Sequence, residues 1–357
     1  MMFIFLFFTV LILAITVRRL GHKPVISTVA GAPLMSMGIA LKSVGFVYFP
    51  HVNSTVFYVL IAGAFWILIH YVFDVFQKDF YLLHVQDPIS SFSIGTWIAS
   101  VSIILILLSD QNISNSMNIL FYINLTFWFI YIGLVIRNYS LIFTNLKKYI
   151  DQIHGGLLLT CVSTQSIVIS GYHVFTGENW TVPATTLLII GSLFYILNFL
   201  LIVFRYVNAS TNDLTVNWIN TNCILHGAIS ITGVALTFSH PAAFSLLYIV
   251  WILSFVFFLV IELIEILWAF QRIRKLGWHH GIFVYSPTQW ARVFTFGMFL
   301  FFTERIPTGQ HEWIDVLAQL LQLFLPVVIV LLIIAEVALM SMQIYRQLRL
   351  ERNGAID

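Results

Sequence analysis

The sequence predicts an all-α polytopic membrane protein, and three observations carry that prediction. Of the 357 residues, 60% are hydrophobic and 9% are charged, whereas about 25% of the residues of soluble domains are charged. Apolar segments long enough to cross a bilayer, about 20 residues each, follow one another along nearly the whole chain. Basic residues cluster on one predicted side of the membrane. We therefore expect little mass outside the membrane, and no soluble catalytic or nucleic-acid-binding domain.

The first element is an apolar N-terminal segment, residues 1–17, which is followed by Arg18, Arg19 and Lys23. A secretory signal carries its positive charge before the apolar run rather than after it. We therefore expect residues 1–22 to form an extra, uncleaved hydrophobic helix ahead of the core domain. Its length leaves open whether it crosses the membrane.

Ten further apolar segments follow, and they alternate in character. The first of each pair is rich in small and polar residues, and these segments are 25–47, 88–108, 155–175, 217–238 and 287–303. The second is rich in aromatic and large aliphatic residues, and these segments are 56–76, 117–136, 182–204, 243–270 and 313–345. Helices that are apolar all round suit a ring facing lipid, whereas striped helices suit the interior. The sequence therefore predicts five hairpins, with the first helix of each inside, in one domain of residues 23–345.

The positions of the basic residues predict the orientation. If the segment 25–47 begins in the cytoplasm, all 17 basic residues except Lys42, Arg292 and Arg305 lie at the cytoplasmic side. This is the bias that the positive-inside rule requires. We therefore predict a multi-pass protein of the plasma membrane whose short basic C-terminal tail, residues 346–357, is cytoplasmic.

The polar residues of one inner segment lie on a single narrow face. Asn222, His226 and Ser230 fall within a quarter turn of one another on a helix of about 100° per residue. The pattern recurs on three other inner segments, where the residues are Ser27, Gly31, Gly38, Ser91, Gly95, Thr160 and Thr164. Hydroxyls can donate to an anion without holding it too tightly to leave, so one interpretation is a weakly polar pore. The alternative is close packing of small residues between helices.

Two basic residues lie toward the predicted outer side, Lys42 late in its segment and Arg305 just after the last inner segment. Charge within a membrane is costly and suggests a function, and here it predicts an outer vestibule that attracts anions. Snorkelling to the surface is the alternative for Lys42. Pairing with Glu304 or Glu312 is the alternative for Arg305.

Sequence signatures of catalysis and of metal or cofactor binding are absent. Cys161 and Cys223 lie within apolar segments without a CxxC or Cys/His spacing, so we expect them to be packing residues. There is no H-E-x-x-H, no G-x-S-x-G and no phosphate-binding glycine loop. Glu262 and Glu265 are interpreted as marking the cytoplasmic end of their segment. We expect a protein that is not an enzyme, with no cofactor, no metal and no nucleic-acid partner.

Three stretches resemble a known family. Residues 155–171 read GGLLLTCVSTQSIVISG, and they are similar to the fifth core helix of the tellurite-resistance/C4-dicarboxylate transporter family. Residues 213–220, DLTVNWIN, resemble its approach to the seventh helix, and residues 285–299, YSPTQWARVFTFGMF, resemble its ninth. The resemblance covers the chain from Lys23 onward. It implies ten core helices in five hairpins around a central pore, a homotrimer with one pore per subunit, and anionic substrates.

The resemblance also implies a gate. In the channel members of the family a Phe on the ninth core helix plugs the pore, and the Trp-x-x-x-Phe spacing from Trp290 assigns this role to Phe294. Met298 lies on the same helix face and is predicted to line the pore. The family's Pro after the Phe is Thr295 here, which removes a kink and leaves Phe296 as the alternative gate.

The function that follows is transport of anions across the lipid bilayer. The resemblance implies a small inorganic anion, or an oxyanion of the C4-dicarboxylate, tellurite or sulfite type. One alternative is a proton-coupled dicarboxylate transporter. Others are an intramembrane enzyme and a pore-dead sensor subunit.

Overall fold

The computed structural model describes residues 2–19, 24–51, 53–111, 113, 117–175, 178–209 and 213–352. Lys23 and residues 353–357 of the predicted tail lie outside the described residues. Throughout the described ranges the regular structure is helical, which confirms the predicted fold class. The main helices are α1 Met2–Arg19, α2 Gly31–Ala40, α3 Asn53–Phe76, α4 Gly95–Asp110, α5 Met117–Thr144, α6 Leu159–Val174, α7 Thr181–Val207, α8 Ile224–Ser239, α9 Phe244–Gly281, α10 Trp290–Thr303 and α11 Glu312–Arg352.

Five of these helices form an inner ring. Going round it, α2 packs against α4, α4 against α6, α6 against α8, α8 against α10, and α10 against α2 again. These are the five segments whose small and polar residues predicted an interior position. Such residues let helix backbones approach closely within a bilayer, where lipid gives no hydrophobic driving force for association.

The inner helices run parallel to one another. Along the α2–α4 contact, Gly31 meets Thr96 and Gly38 meets Ile103, so the residue numbers rise together. Along the α8–α10 contact, Gly227 meets Thr295 and Gly233 meets Phe302 in the same sense. The parallel direction follows from the hairpin topology, because an outer helix returns the chain across the membrane after each inner one.

The segments rich in aromatic and large aliphatic residues form an outer layer, as predicted. Helix α3 packs on α2, α5 on α4 and α6, α7 on α6 and α8, α9 on α8 and α10, and α11 on α10. Helix α1 packs on α3 through Val10, Ala14 and Ile69. Its last turn is fixed there because Arg18 pairs with Asp74 at 3.4 Å.

The span boundaries differ from the predicted ones in two ways. Helix α9 runs past the predicted end at residue 270 and reaches Gly281 only across a kink at Gly277, whose backbone is not helical (φ 72°, ψ 171°). Helix α2 begins only at Gly31 and is interrupted by a π-helical turn, Leu41–Gly45. In the described part of the chain nine helices are long and apolar enough to cross a membrane. The two predicted spans that fall short, α2 and α10, are both members of the inner ring.

Candidate functional site

A small cavity lies on the axis of the inner ring. Its volume is about 30 Å³, which holds a water molecule or two but not a hydrated anion. All five inner helices contribute to its wall, which consists of Met35, Ile39, Ala99, Ser102, Ile103, Ile106, Ser166, Ile169, Ile231, Phe294, Met298 and Phe301. Only Ser102 and Ser166 bring hydroxyls, so the wall is almost entirely apolar.

Helix α10 supplies the aromatic part of the cavity wall. Phe294, Met298 and Phe301 are spaced by four and three residues, so they form one face of the helix. Phe294, the predicted gate, therefore lies at the cavity. Phe296, the alternative gate, faces away from it, with its ring centroid 5.0 Å from that of Phe258 on α9.

Most of the predicted pore-lining hydroxyls face the outer helices instead of the axis. Thr160 accepts a hydrogen bond from Asn198 at 2.9 Å, and Thr164 accepts one from Trp128 at 3.1 Å. Ser91 likewise accepts from Asn138 of α5 at 2.7 Å. Ser230 and Ser254 of α9 share a hydrogen bond of 2.6 Å. We therefore assign Ser91, Thr160, Thr164 and Ser230 to the contacts between the two helix layers rather than to the cavity wall.

The predicted pore glycines lie at the contacts between neighbouring inner helices. A Cβ atom on Gly31 would lie 2.6 Å from the Thr96 carbonyl oxygen, and one on Gly38 would lie 2.7 Å from the Ile103 side chain. A Cβ on Gly95 would lie 2.7 Å from the Leu159 carbonyl oxygen. These glycines allow the ring to close, which is the packing alternative left open by the sequence.

Ser27 and Asn222 lie before the regular α-helices, at the end of the ring where the inner helices begin. Ser27 is exposed in the connection ahead of α2, and its carbonyl accepts from Tyr71. The Asn222 side chain accepts from the backbone N–H of Gly155 at 2.9 Å. It thereby joins the starts of α6 and α8.

His154 takes part in the same junction. Its Nδ1 accepts from the Gly156 N–H at 2.9 Å and lies 2.8 Å from the Thr221 hydroxyl. Burial, followed by the nearby positive charge of Arg205, lowers the pKa of His154 from 6.5 to about 4. The imidazole is therefore neutral near neutral pH, as an acceptor at Nδ1 must be.

The opposite end of the ring carries the predicted outer residues, and we call this group the outer mouth: Lys42, Asp110, Phe238 and Arg305. Lys42 is paired with Asp110, with Nζ 2.6 and 2.7 Å from the two carboxylate oxygens. The Arg305 guanidinium lies 4.5 Å from the ring centroid of Phe238 and 4.4 Å from that of Phe301. Among the described residues no carboxylate lies within 4.0 Å of it. Because Phe301 also lines the cavity, Arg305 lies at the cavity's outer end.

A second charged group lies beside α10, away from the axis. It consists of His226, Glu262, Glu265 and Arg292, and we call it the buried ion cluster. His226 Nε2 is 3.7 Å from Glu262, and Arg292 contacts both carboxylates. His226, predicted to line the pore, thus faces α9 and α10 instead.

A sequence model of the voltage-dependent anion channel family matches residues 30–337. The chain belongs to this family. Membership confirms the resemblance found in the sequence, and it identifies the chain as a member of a family of membrane proteins that transport anions. No individual curated protein matches the chain. Helix α1 lies before the matched residues.

Two sets of residues in this anion channel fold escaped the sequence prediction. The aliphatic cavity wall was missed because Ile39, Ile103 and Ile231 look like any apolar core residue. The buried ion cluster was missed because Glu262 and Glu265 were interpreted as the end of a span. One signal could have found the cluster, since ionisable residues inside apolar segments are costly unless they are paired.

Proposed function

We propose that this chain conducts small anions along the axis of the inner ring, with the Phe294 side chain closing the path. The observation that carries the proposal is the cavity of about 30 Å³, whose wall is formed by all five inner helices. The aromatic ring of Phe294 bars a hydrated anion, because the ion would have to lose water without receiving hydrogen-bond donors in return. The Ser102 hydroxyl accepts a hydrogen bond from Asn124 at 3.0 Å and can still donate its own proton to an ion. The Ser166 hydroxyl donates to the Ser163 carbonyl at 2.7 Å, so it would have to leave this bond to do the same.

Two electrostatic features support anions rather than cations as the cargo. The five inner helices are parallel, so their partial positive N-terminal charges add at the end of the ring where these helices begin. At the outer mouth, Arg305 carries a positive charge that no described carboxylate approaches within 4.0 Å, while Glu304 and Asp110 act on it from farther away. An anion is therefore favoured at both ends of the path, whereas a cation is repelled.

Flux of radiolabelled or fluorescence-detected anions into vesicles containing the purified protein tests the proposal. Phe294→Ala should remain folded and raise the flux by about tenfold or more, since an ionic barrier that is lower by 1.4 kcal/mol gives a tenfold change. Phe296→Ala is the matched control, because its ring packs on Phe258 rather than on the cavity. It should lower the stability by about 3–5 kcal/mol without raising the flux.

Two results would contradict this assignment. If Phe294→Ala folds and conducts no better than the parent, Phe294 is not the gate. A rise in flux from Phe296→Ala would instead move the gate by two residues. Absence of flux for every anion in both proteins would favour a sensor subunit or an intramembrane enzyme.

A proton-coupled transporter of dicarboxylates is the second candidate, and the buried ion cluster favours it. His226 and Glu262 are titratable groups within the membrane part of the chain, as proton carriers in transporters are. An imposed pH gradient separates the two candidates. It should drive dicarboxylate accumulation against its gradient in a coupled transporter and should have no such effect on a passive pore.

The identity of the transported anion and the oligomeric state belong to the same proposal. Inorganic anions, sulfite, tellurite and C4-dicarboxylates should be compared in the flux assay. We further propose a homotrimer in the plasma membrane with one pore in each subunit and a cytoplasmic C-terminus. Native mass measurement of the detergent-extracted protein tests the trimer.

A further inference from the structure

The buried ion cluster joins three helices beside the cavity. Arg292 of α10 donates to Glu265 of α9, and Glu265 also accepts from Trp218 Nε1 at 2.7 Å. Glu262, one turn earlier on α9, lies between His226 and Arg292. Its Oε1 is 3.7 Å from Nε2 of His226 on α8, and its Oε2 is 3.6 Å from Nε of Arg292.

Several polar atoms of the cluster lack hydrogen-bond partners among the described residues. These atoms are both ring nitrogens of His226, Oε1 of Glu262 and Nε of Arg292. The His226 side chain is fully buried. Unpartnered buried polar atoms are rare in native proteins and require an explanation. Here His226 Nε2 and Glu262 Oε1 face each other at 3.7 Å, so a proton on either atom would pair them if the two side chains moved closer by a few tenths of an ångström.

The charge balance leads to the same site. Two carboxylates and one guanidinium leave the cluster with one net negative charge when His226 is neutral. An uncompensated charge in a largely buried site is unfavourable. One added proton makes the cluster neutral. Glu336 of α11 is also buried near Arg292, and its carboxyl can only increase this demand for a proton.

We propose that His226 and Glu262 bind one proton between them, and that this proton controls the position of α10. The proposal rests on the pore function proposed above, because α10 carries Phe294. Protonated His226 and Arg292 compete for the same carboxylate and repel each other, so the proton weakens the contact between Glu262 and Arg292. Of the ion pairs between α10 and α9, only that of Arg292 with Glu265 then keeps its strength, so the start of α10 is freer to move.

The geometry favours a proton that regulates the pore over a proton that is transported together with the anion. Arg292 precedes Phe294 by two residues, about 200° of helix rotation, so it points away from the cavity that Phe294 lines. The Glu262 side chain is 18% exposed and that of Arg292 is 31% exposed, so the cluster is not sealed within the protein. A lower pH should therefore open the pore without any stoichiometric coupling to the anion.

The test is anion flux into vesicles with the same pH on both sides, from about pH 8 down to about pH 5, where an unperturbed His changes charge. The parent should gain about fivefold or more on acidification, the lower bound of usual coupling free energies. Both His226→Gln and Glu262→Gln should lose this pH dependence. The matched control is His70→Gln. His70 is also buried with an unpartnered Nε2, but no described carboxylate lies within 4.0 Å of it. It should behave like the parent.

A second measurement does not depend on flux. Infrared difference spectra between the two pH limits should show a protonating carboxyl group that disappears in Glu262→Gln and changes in His226→Gln. A carboxyl signal that is identical in all variants would overturn the proton site. Equal pH dependence of the flux in the parent and in both cluster variants would overturn the control of α10.

The two proposals fail in different ways. If Phe294→Ala folds but carries no anion at any pH, the pore function fails. If it conducts while the parent, His226→Gln and Glu262→Gln share one pH profile, the proton proposal fails alone. Because two separate variants remove the site, one that does not fold leaves the other as the test.

Discussion

Replacing Asp110 at the outer mouth by Asn should increase anion flux at low ionic strength. Asp110 holds Lys42 at 2.6 Å, and as a pair the two side chains carry no net charge. The pair therefore adds little to the field of Arg305, which differs from the sequence expectation of two positive charges acting together. Removing the carboxylate leaves Lys42 without its ion-pair partner, and Glu304 remains as the acidic residue near Lys42 and Arg305.

The size of the effect follows from Coulomb's law. A unit charge about 8 Å from an entering anion contributes roughly 0.5 kcal/mol at a dielectric constant of about 80 and roughly 2 kcal/mol at about 20. The local anion concentration then changes by about twofold to about thirtyfold. Lys42→Gln should have the opposite sign, because it leaves Asp110 as an unpaired negative charge. Removing both should return the flux to near the parent value.

The assay compares flux at about 0.01 M and about 1 M ionic strength, where the Debye length falls from about 30 Å to about 3 Å. The three variants should differ at low ionic strength and converge at high ionic strength. Arg305→Gln should lower the flux at low salt by a factor in the same range. An Asp110→Asn protein that loses flux equally at both salt concentrations would refute the reasoning and show that the pair is structural.

Two further predictions concern orientation and packing. In intact cells a membrane-impermeant thiol reagent should label Asn179→Cys but not Arg349→Cys. The background should be low because both native cysteines are buried. Labelling of Arg349→Cys alone would show that the orientation is the reverse of the predicted one. Gly155→Ala should lower the free energy of unfolding by about 1–3 kcal/mol or more, because its Cβ would lie 2.0 Å from the Thr221 carbonyl oxygen. Gly133→Ala, with nothing within 4 Å, is the control and should be neutral or stabilising in the same thermal unfolding measurement. Equal stability of the two variants would contradict the close contact at residue 155.

The architecture could be predicted because membrane physics leaves few choices. Backbone hydrogen bonds must be satisfied within the membrane, and a continuous apolar segment of about 20 residues satisfies them as a helix. Segments rich in small and polar residues can then be assigned to the inner layer, and segments rich in aromatic and large aliphatic residues to the outer layer. Helix α2 shows where this reasoning ends, since nothing in its composition indicates the π-helical turn at Leu41–Gly45.

The candidate site was predicted only in part. The reason is that each inner helix has two faces that can carry polar residues, one toward the axis and one toward the outer helices. A polar stripe on an inner helix can face the axis or the outer layer, and periodicity alone does not distinguish the two. Thr160 and Thr164 face the outer layer, whereas Phe294 and Met298 face the axis. The spacing from Trp290 identified the α10 face because the family resemblance supplied the missing direction.

Polar residues on the outer helices indicate which polar residues of the inner helices face outward. Asn124, Asn138, Asn198 and Ser254 are single polar residues within long apolar helices, and each is buried. In lipid such a side chain needs a partner on a neighbouring helix, so it engages an inner-helix hydroxyl or carbonyl. Asn124 bonds Ser102, which still lines the cavity, whereas the other partners lie away from it. Asn198 bonds Thr160, and Ser254 bonds Ser230. Their need for partners therefore explains why a ring of helices rich in hydroxyls encloses an apolar cavity, and why an aromatic side chain is sufficient to close it.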